Sequence, residues 1–146
     1  MARPRENVDV VRRIWELWAT DASTGDPEAV SAPFDEGLIA ADSTFTPVQD
    51  FPGAGHTYRG IAGLREFLES WSAEWADWRI VLEEAVDAGD DRVVAVIHLS
   101  GVGRSSRAPV EVRCGAVFEL RGGQVVDRRD HPDPAAAFEA AGLPPP

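Results

Sequence analysis

Lysine is absent from this sequence: all 14 of its basic residues are arginines. That bias matches the codon usage of a high-GC bacterium and speaks to origin, not to chemistry. Cysteine is nearly absent too. With Cys114 alone, no intrachain disulfide and no thiolate metal cluster can form, and a reducing compartment is expected. Positive charge is scarce against negative. A formal net charge of -11 with no dense arginine cluster excludes a nucleic-acid partner, because phosphate binding needs a basic face. Long apolar runs are also missing. Arg12, Arg13 and Glu16 interrupt the only early candidate, so no signal segment or membrane span is expected and the protein is expected to be cytoplasmic. There is no glycine-rich phosphate loop after a strand, no Ser-His-Asp context and no His/Asp/Glu spacing of a metal site.

What remains is ordinary globular composition. Over 146 residues, 44% are hydrophobic and 27% charged, which supports one domain over residues 1–146, with residues 1–6 and 144–146 expected as flexible tails. Asn7 can cap a first helix, in which Val11, Ile14, Trp15 and Trp18 recur at helical spacing. Asp26 before Pro27 reads as the cap of a short second helix ending near Ser31. Residues 38–45 suit a short strand, and the Pro- and Gly-rich residues 47–59 a loop. Ile61, Leu64, Phe67, Leu68 and Trp71 then define a third helix, with Trp75 and Trp78 extending its apolar face. Four β runs follow, over residues 79–86, 92–102, 110–120 and 124–129, separated by turn-forming residues. Asp133-Pro134 repeats the cap signal before a last helix over residues 135–141. Helices first and strands later predict an α+β fold, a curved antiparallel sheet with N-terminal helices packed on one face.

The strand patterns differ instructively. Val110, Val112, Cys114, Ala116, Phe118 and Leu120 share one face, while Glu111, Arg113 and Glu119 point away. Residues 92–102 are apolar on both faces, Val93, Ala95, Ile97 and Leu99 on one and Val94, Val96 and Val102 on the other. Both faces must therefore be covered. Helices cover one, and the other is expected to meet a second copy of the chain through the outer sheet face, a thicker monomer core being the alternative.

Four segments in order carry a family likeness: Glu6-Asn7-Val8 with its helix; Gly25-Asp26-Pro27-Glu28-Ala29; the run Tyr58-Arg59-Gly60-Ile61-Ala62-Gly63-Leu64-Arg65-Glu66-Phe67; and the ending from Asp133-Pro134 to Gly142-Leu143. Together the chain resembles the nuclear transport factor 2-like superfamily, specifically its SnoaL-like branch. The resemblance implies a cone-shaped fold with a pocket between sheet and helices, usually dimeric, needing no metal or organic cofactor. Members include polyketide cyclases, ketosteroid isomerases and limonene-type epoxide hydrolases. The isomerase base and oxyanion tyrosine find no counterpart, since Thr46-Pro47-Val48 and Ile14 occupy their places. The Arg-x-Asp pair of the epoxide hydrolases is likewise replaced, by Val96-Ile97-His98. The cyclases' aspartate near the end of the last strand corresponds to Asp130 or Asp133.

Three residues are thus candidates for acid/base chemistry: Asp130, Asp133 and His98. Each has a structural alternative. Asp133 before a proline is explained by capping alone; Asp130 ends a charged run and shares a face with Arg128, which would pair with it; His98 fits a satisfied core or interface histidine. His131 points opposite Asp130, so only one of them faces a cavity. Trp18, Phe45, Tyr58, Trp71, Cys114 and Phe118 are the expected ligand-binding walls, although aromatic stripes at helical spacing are also core. The functional expectation is a cofactor-independent cyclase or isomerase acting on a small apolar, polyketide- or steroid-like molecule. The alternative is a non-catalytic protein that binds a hydrophobic small molecule.

Overall fold

In a computed structural model of the chain, the described residues are 4–21, 30–48 and 56–146. Four helices and six strands occur among them: α1 (Pro4–Asp21), α2 (Ser31–Asp35), β1 (Ile39–Thr46), β2 (Tyr58–Arg59), α3 (Gly60–Glu74), β3 (Trp75–Gly89), β4 (Arg92–Gly103), β5 (Pro109–Arg121), β6 (Gln124–His131) and α4 (Pro134–Ala140). The α+β order is as expected. Strands β3 to β6 form the antiparallel meander that the turn residues specify, and the sheet order is β2-β1-β6-β5-β4-β3. One pairing departs from the antiparallel expectation. β1 runs parallel to β6, which makes the curved open sheet mixed. β1 and β6 are far apart in the chain and no tight turn joins them, so their relative direction is not fixed by a hairpin.

The inner face carries the main core. Val11, Ile14 and Trp15 of α1 and Phe67, Leu68 and Trp71 of α3 pack onto Val93, Ala95, Ile97 and Leu99 of β4 and Cys114, Ala116, Phe118 and Leu120 of β5. These are the apolar positions that alternate along each strand, so period two in sequence becomes one dry face in space. The opposite face of β4 is covered by the chain itself. Val94 and Val96 are buried with Ala137 and Phe138 of α4 and with Ala141 just past its end, which corrects the reason for expecting a second copy there. Gly115 makes this close approach possible, because a Cβ on it would lie 2.4 Å from the Ala137 Cβ. Arg92 Nη2 holds the end of α4 through the Ala141 carbonyl at 3.1 Å, and Gly142 takes a positive φ of 78° as the helix stops.

Three further expectations are corrected. Trp75 and Trp78 lie on β3 and not on α3, because Trp75 is already extended and Asp77 takes a φ of 50°. The register slips between Ala76 and Arg79, a bulge that turns the Trp78 side chain inward across Gly101. Helix α2 begins at Ser31, where the second helix was expected to end; the Asp26-Pro27 cap lies outside the described residues. At the N-terminus, helix α1 begins at Pro4, so Asn7, expected as its cap, lies inside it. No helix among the described residues is long and apolar enough to cross a membrane.

Candidate functional site

A cavity of about 60 Å³ lies between the inner sheet face and α1 and α3. Its walls are apolar and unusually aromatic, with Trp15 and Trp18 from α1, Phe67 and Trp71 from α3, Phe45 from β1 and Trp78 from β3. They pack edge to face in several pairs, Trp15 on Trp18 at 5.3 Å and Phe45 on Phe67 at 4.9 Å between ring centroids. Trp15 is fixed by its indole N–H, which donates to the Ile80 carbonyl at 3.2 Å. Trp78 donates to Ser72 Oγ at 3.2 Å. The Trp18 indole N–H is buried and has no hydrogen-bond partner among the described residues, so a donor stands unused in this wall.

Two charged residues enter this apolar setting, both from β6. Arg128 and Asp130 are two residues apart on a strand and therefore share the inward face. Arg128 Nε donates to Asp130 Oδ1 at 2.8 Å and Nη2 to Oδ2 at 3.2 Å, a two-point pair whose side chains keep only 13% and 9% of their exposure. Burial pushes the Asp130 carboxyl above its ordinary value; the charge and hydrogen bonds of Arg128, and more weakly His131, pull against that shift without cancelling it. The guanidinium carbon lies 4.8 Å from the Phe45 ring centroid, 5.3 Å from Trp15 and 5.5 Å from Phe118, so the cation is caged by aromatic faces. Cys114 lines the same cavity. Burial and then the Asp130 charge push its thiol up to about 12, against the pull of Arg128, which leaves it protonated near neutral pH and a poor nucleophile.

A smaller cavity of about 30 Å³ adjoins the first, with Trp18, Phe45, Leu64 and Arg128 common to both walls. Tyr58 and Phe118 line this second space, whereas Trp18, Phe45, Trp71 and Cys114 line the first. The six side chains expected as ligand walls are thus divided over two adjoining spaces. The acid/base candidates separate completely. Asp130 is in the cavity; Asp133 caps α4, its Oδ1 accepting from the Ala136 backbone N–H at 2.8 Å. His98 sits on the outer face, its Nε2 3.0 Å from Glu111 Oε1. Asp133→Ala should accordingly cost about 1 kcal/mol in urea denaturation, with Asp133→Ser restoring most of it, as a cap predicts.

Sequence reasoning named Arg128 only as a partner for Asp130 and did not name Trp78, Leu68 or Leu99 as walls. Alternation placed Arg128 on the face of Asp130, but the apolar character of that face was hidden, because the buried Val125 joins it only through the register shift between Glu119 and Leu120. Among the described residues no group of three or more His, Cys, Asp or Glu is placed to hold a metal ion.

Comparison with known proteins agrees with this architecture. The sequence model of the SnoaL-like domain matches residues 11–128. The chain belongs to the SnoaL-like domain family. Among solved structures, this SnoaL-like domain is similar to an NTF2-like protein from Burkholderia thailandensis, with 26% identity, a TM-score of 0.71 and coverage of 99% of this chain and 100% of the other. It is similar in fold to TerC co-crystallised with polyporic acid, at 19% identity and a TM-score of 0.69 over 94% and 98% of the two chains. A third is a protein with a ketosteroid isomerase-like fold from Catenulispora acidiphila, in complex with trimethylamine, at 24% identity and a TM-score of 0.63 over 90% and 93%. No functionally curated protein matches the SnoaL-like chain described here.

Proposed function

We propose that this SnoaL-like domain is a cofactor-independent acid/base enzyme of the cyclase or isomerase type, acting on a small, largely apolar, polyketide- or steroid-like molecule. The observation that carries the reading is Asp130: a carboxylate held in an aromatic cavity, with its proton affinity raised by burial. In its ionised form Asp130 takes a proton from a carbon next to a ligand carbonyl. The C–H electron pair moves to make the enolate, and the negative charge comes to rest on the carbonyl oxygen. The same carboxyl returns the proton at another carbon, or the enolate carbon bonds to a second carbonyl carbon of the same molecule, whose C=O π pair moves to its oxygen and takes the proton back from Asp130. The apolar walls exclude water from the intermediate, and the fixed Arg128 charge beside Asp130 favours negative charge in the site.

A second reading has its own observation. Both Asp130 oxygens are engaged by Arg128, a pairing that holds the carboxylate still and suits a cavity that only binds. Structural neighbours crystallised with polyporic acid and with trimethylamine support small-molecule occupancy under either reading. The two are separated by incubating the protein with a panel of cyclic ketones in deuterated water and following the α-proton signals. Exchange above the buffer rate, rising with pH as Asp130 ionises, is the expected result; ligand binding with no exchange across the panel would leave the binding role alone.

Dimerisation through the outer sheet face belongs to the same reading. Val94 and Val96, which suggested a partner on the outer face, lie under α4, and what stays outward is Val81, 48% exposed, among ion pairs such as Arg113–Glu83. A reducing, cytoplasmic site of action fits the single buried thiol.

A further inference from the structure

Arg128 stands in the wall common to both cavities, and its hydrogen bonds are incompletely used. Two of its nitrogens, Nε and Nη2, donate to Asp130. The third, Nη1, makes no hydrogen bond to a described residue and is not among the buried polar atoms left without a partner. It therefore keeps some accessible surface, and the spaces beside Arg128 are the two cavities. A guanidinium stays protonated at any working pH, so this is a donor of fixed charge in an otherwise apolar wall. The Trp18 indole N–H, in the same shared wall, is also unpartnered but is buried within it, so Nη1 is the donor that reaches the cavity surface.

The rings have a matching consequence. Trp15, Phe45 and Phe118 are the faces that would stabilise a ligand ammonium, and all three already surround the Arg128 carbon within 5.5 Å. A second cation beside that guanidinium would meet like charge in a site of low dielectric, while Asp130, the only carboxylate among the described lining residues, is already paired.

We infer that Arg128 determines specificity in this cavity: its free Nη1 receives an oxygen acceptor of the ligand, a carbonyl, enolate or phenolate, and its occupation of the aromatic cage excludes ammonium compounds. The inference rests on the reading that the cavity is a ligand site, whether catalytic or not. It makes the ligand an oxygen-bearing ring compound, neutral or anionic, and places the oxygen at the junction of the two cavities.

Two pairs of one-ring probes of matched shape test it by calorimetric or tryptophan-fluorescence titration. Acetophenone and α-methylstyrene differ by C=O against C=CH₂; tert-butylbenzene and phenyltrimethylammonium differ by a carbon against a cationic nitrogen. Wild-type protein should prefer acetophenone to its hydrocarbon twin by about ten-fold, the worth of one hydrogen bond to a charged group, and should bind phenyltrimethylammonium at least about ten-fold more weakly than tert-butylbenzene. Asp130→Asn, which keeps the guanidinium, should retain the acetophenone preference. Arg128→Met combined with Asp130→Leu, which removes both charges together so that none is stranded, should reduce it to about three-fold or less. Equal binding within each pair, or a preference unchanged in the double variant, would overturn the role of Arg128 while leaving the cavity as a ligand site. Failure of all four probes to bind would overturn both. Thermal melts of each variant, taken in parallel, establish that the measured chains are folded.

Discussion

Asp130→Asn should slow enzyme-dependent proton exchange on a ketone substrate by about 10²- to 10⁴-fold, the usual contribution of a positioned general base. Asparagine has the shape of the carboxylate and keeps one oxygen to accept from Arg128, so the effect is chemical and not a consequence of an emptied site. Binding of the substrate should change little, which makes this a loss in kcat with KM nearly constant. The same site sets the pH profile. A base works ionised, and burial has moved Asp130 upward, so the rate should climb with pH through a value above the ordinary carboxylate pKa and then level. Exchange by the asparagine variant within about two-fold of wild type would remove Asp130 from the chemistry and leave the binding role.

How much of this was legible before the fold was known depends on the kind of physics involved. Periodicity carried the element order well: Val11, Ile14 and Trp15 at helical spacing do form the buried stripe of α1, and the alternation from Cys114 to Leu120 does form the dry face of β5. Periodicity also misled at Trp71, Trp75 and Trp78, whose three- and four-residue spacing continues the helix pattern past its end. What stops the helix is backbone conformation, an extended Trp75 and a left-handed Asp77, and an aspartate takes that conformation without announcing it. The outer face failed for another reason. Two apolar faces on β4 say that both are covered, and not by what; the hint that α4 returns across it was Gly115, an isolated glycine inside a strand, the mark of a close backbone approach.

The site divides in the same manner. Strand alternation alone puts Arg128 and Asp130 on one face, so their pairing was foreseeable from two residues of spacing. Which aromatic side chains border a void is a different matter, because Trp15, Trp71 and Trp78 satisfy every sequence criterion for plain core. A cavity is a failure of volumes to match across elements distant in the chain, and no local pattern encodes that sum. His98 shows the converse case. Its apolar neighbours suggested burial, yet it lies just past the reach of α4 and finds Glu111 at the surface.

Arg128→Met should be the most destabilising single change in this region, by about 3–5 kcal/mol near neutral pH, because it strands the Asp130 carboxylate in the cavity without its partner. Loss of the cation on three aromatic faces adds to the same deficit. The sign of its pH dependence distinguishes a stranded charge from a packing defect. Burial already raises the Asp130 pKa, and Arg128 is the main influence holding it down, so the substitution moves it further up. Between the unfolded value of about 3.9 and that higher folded value, the native state binds more protons than the unfolded state, and stability rises as pH falls. The deficit relative to wild type should therefore be full at pH values above the folded pKa and shrink as pH is lowered through it, since a protonated Asp130 is a neutral group in an apolar wall. Comparison with wild type at each pH cancels the effect of acid on the remaining charge of the chain. Urea denaturation at pH 8 and at pH 5 measures it. Arg128→Met with Asp130→Leu should recover to within about 1 kcal/mol of wild type at both, as expected when a buried pair is replaced whole. A deficit equal at the two pH values, or one that the double variant does not relieve, would mean that the side-chain volume of Arg128, and not its charge, supports the cavity.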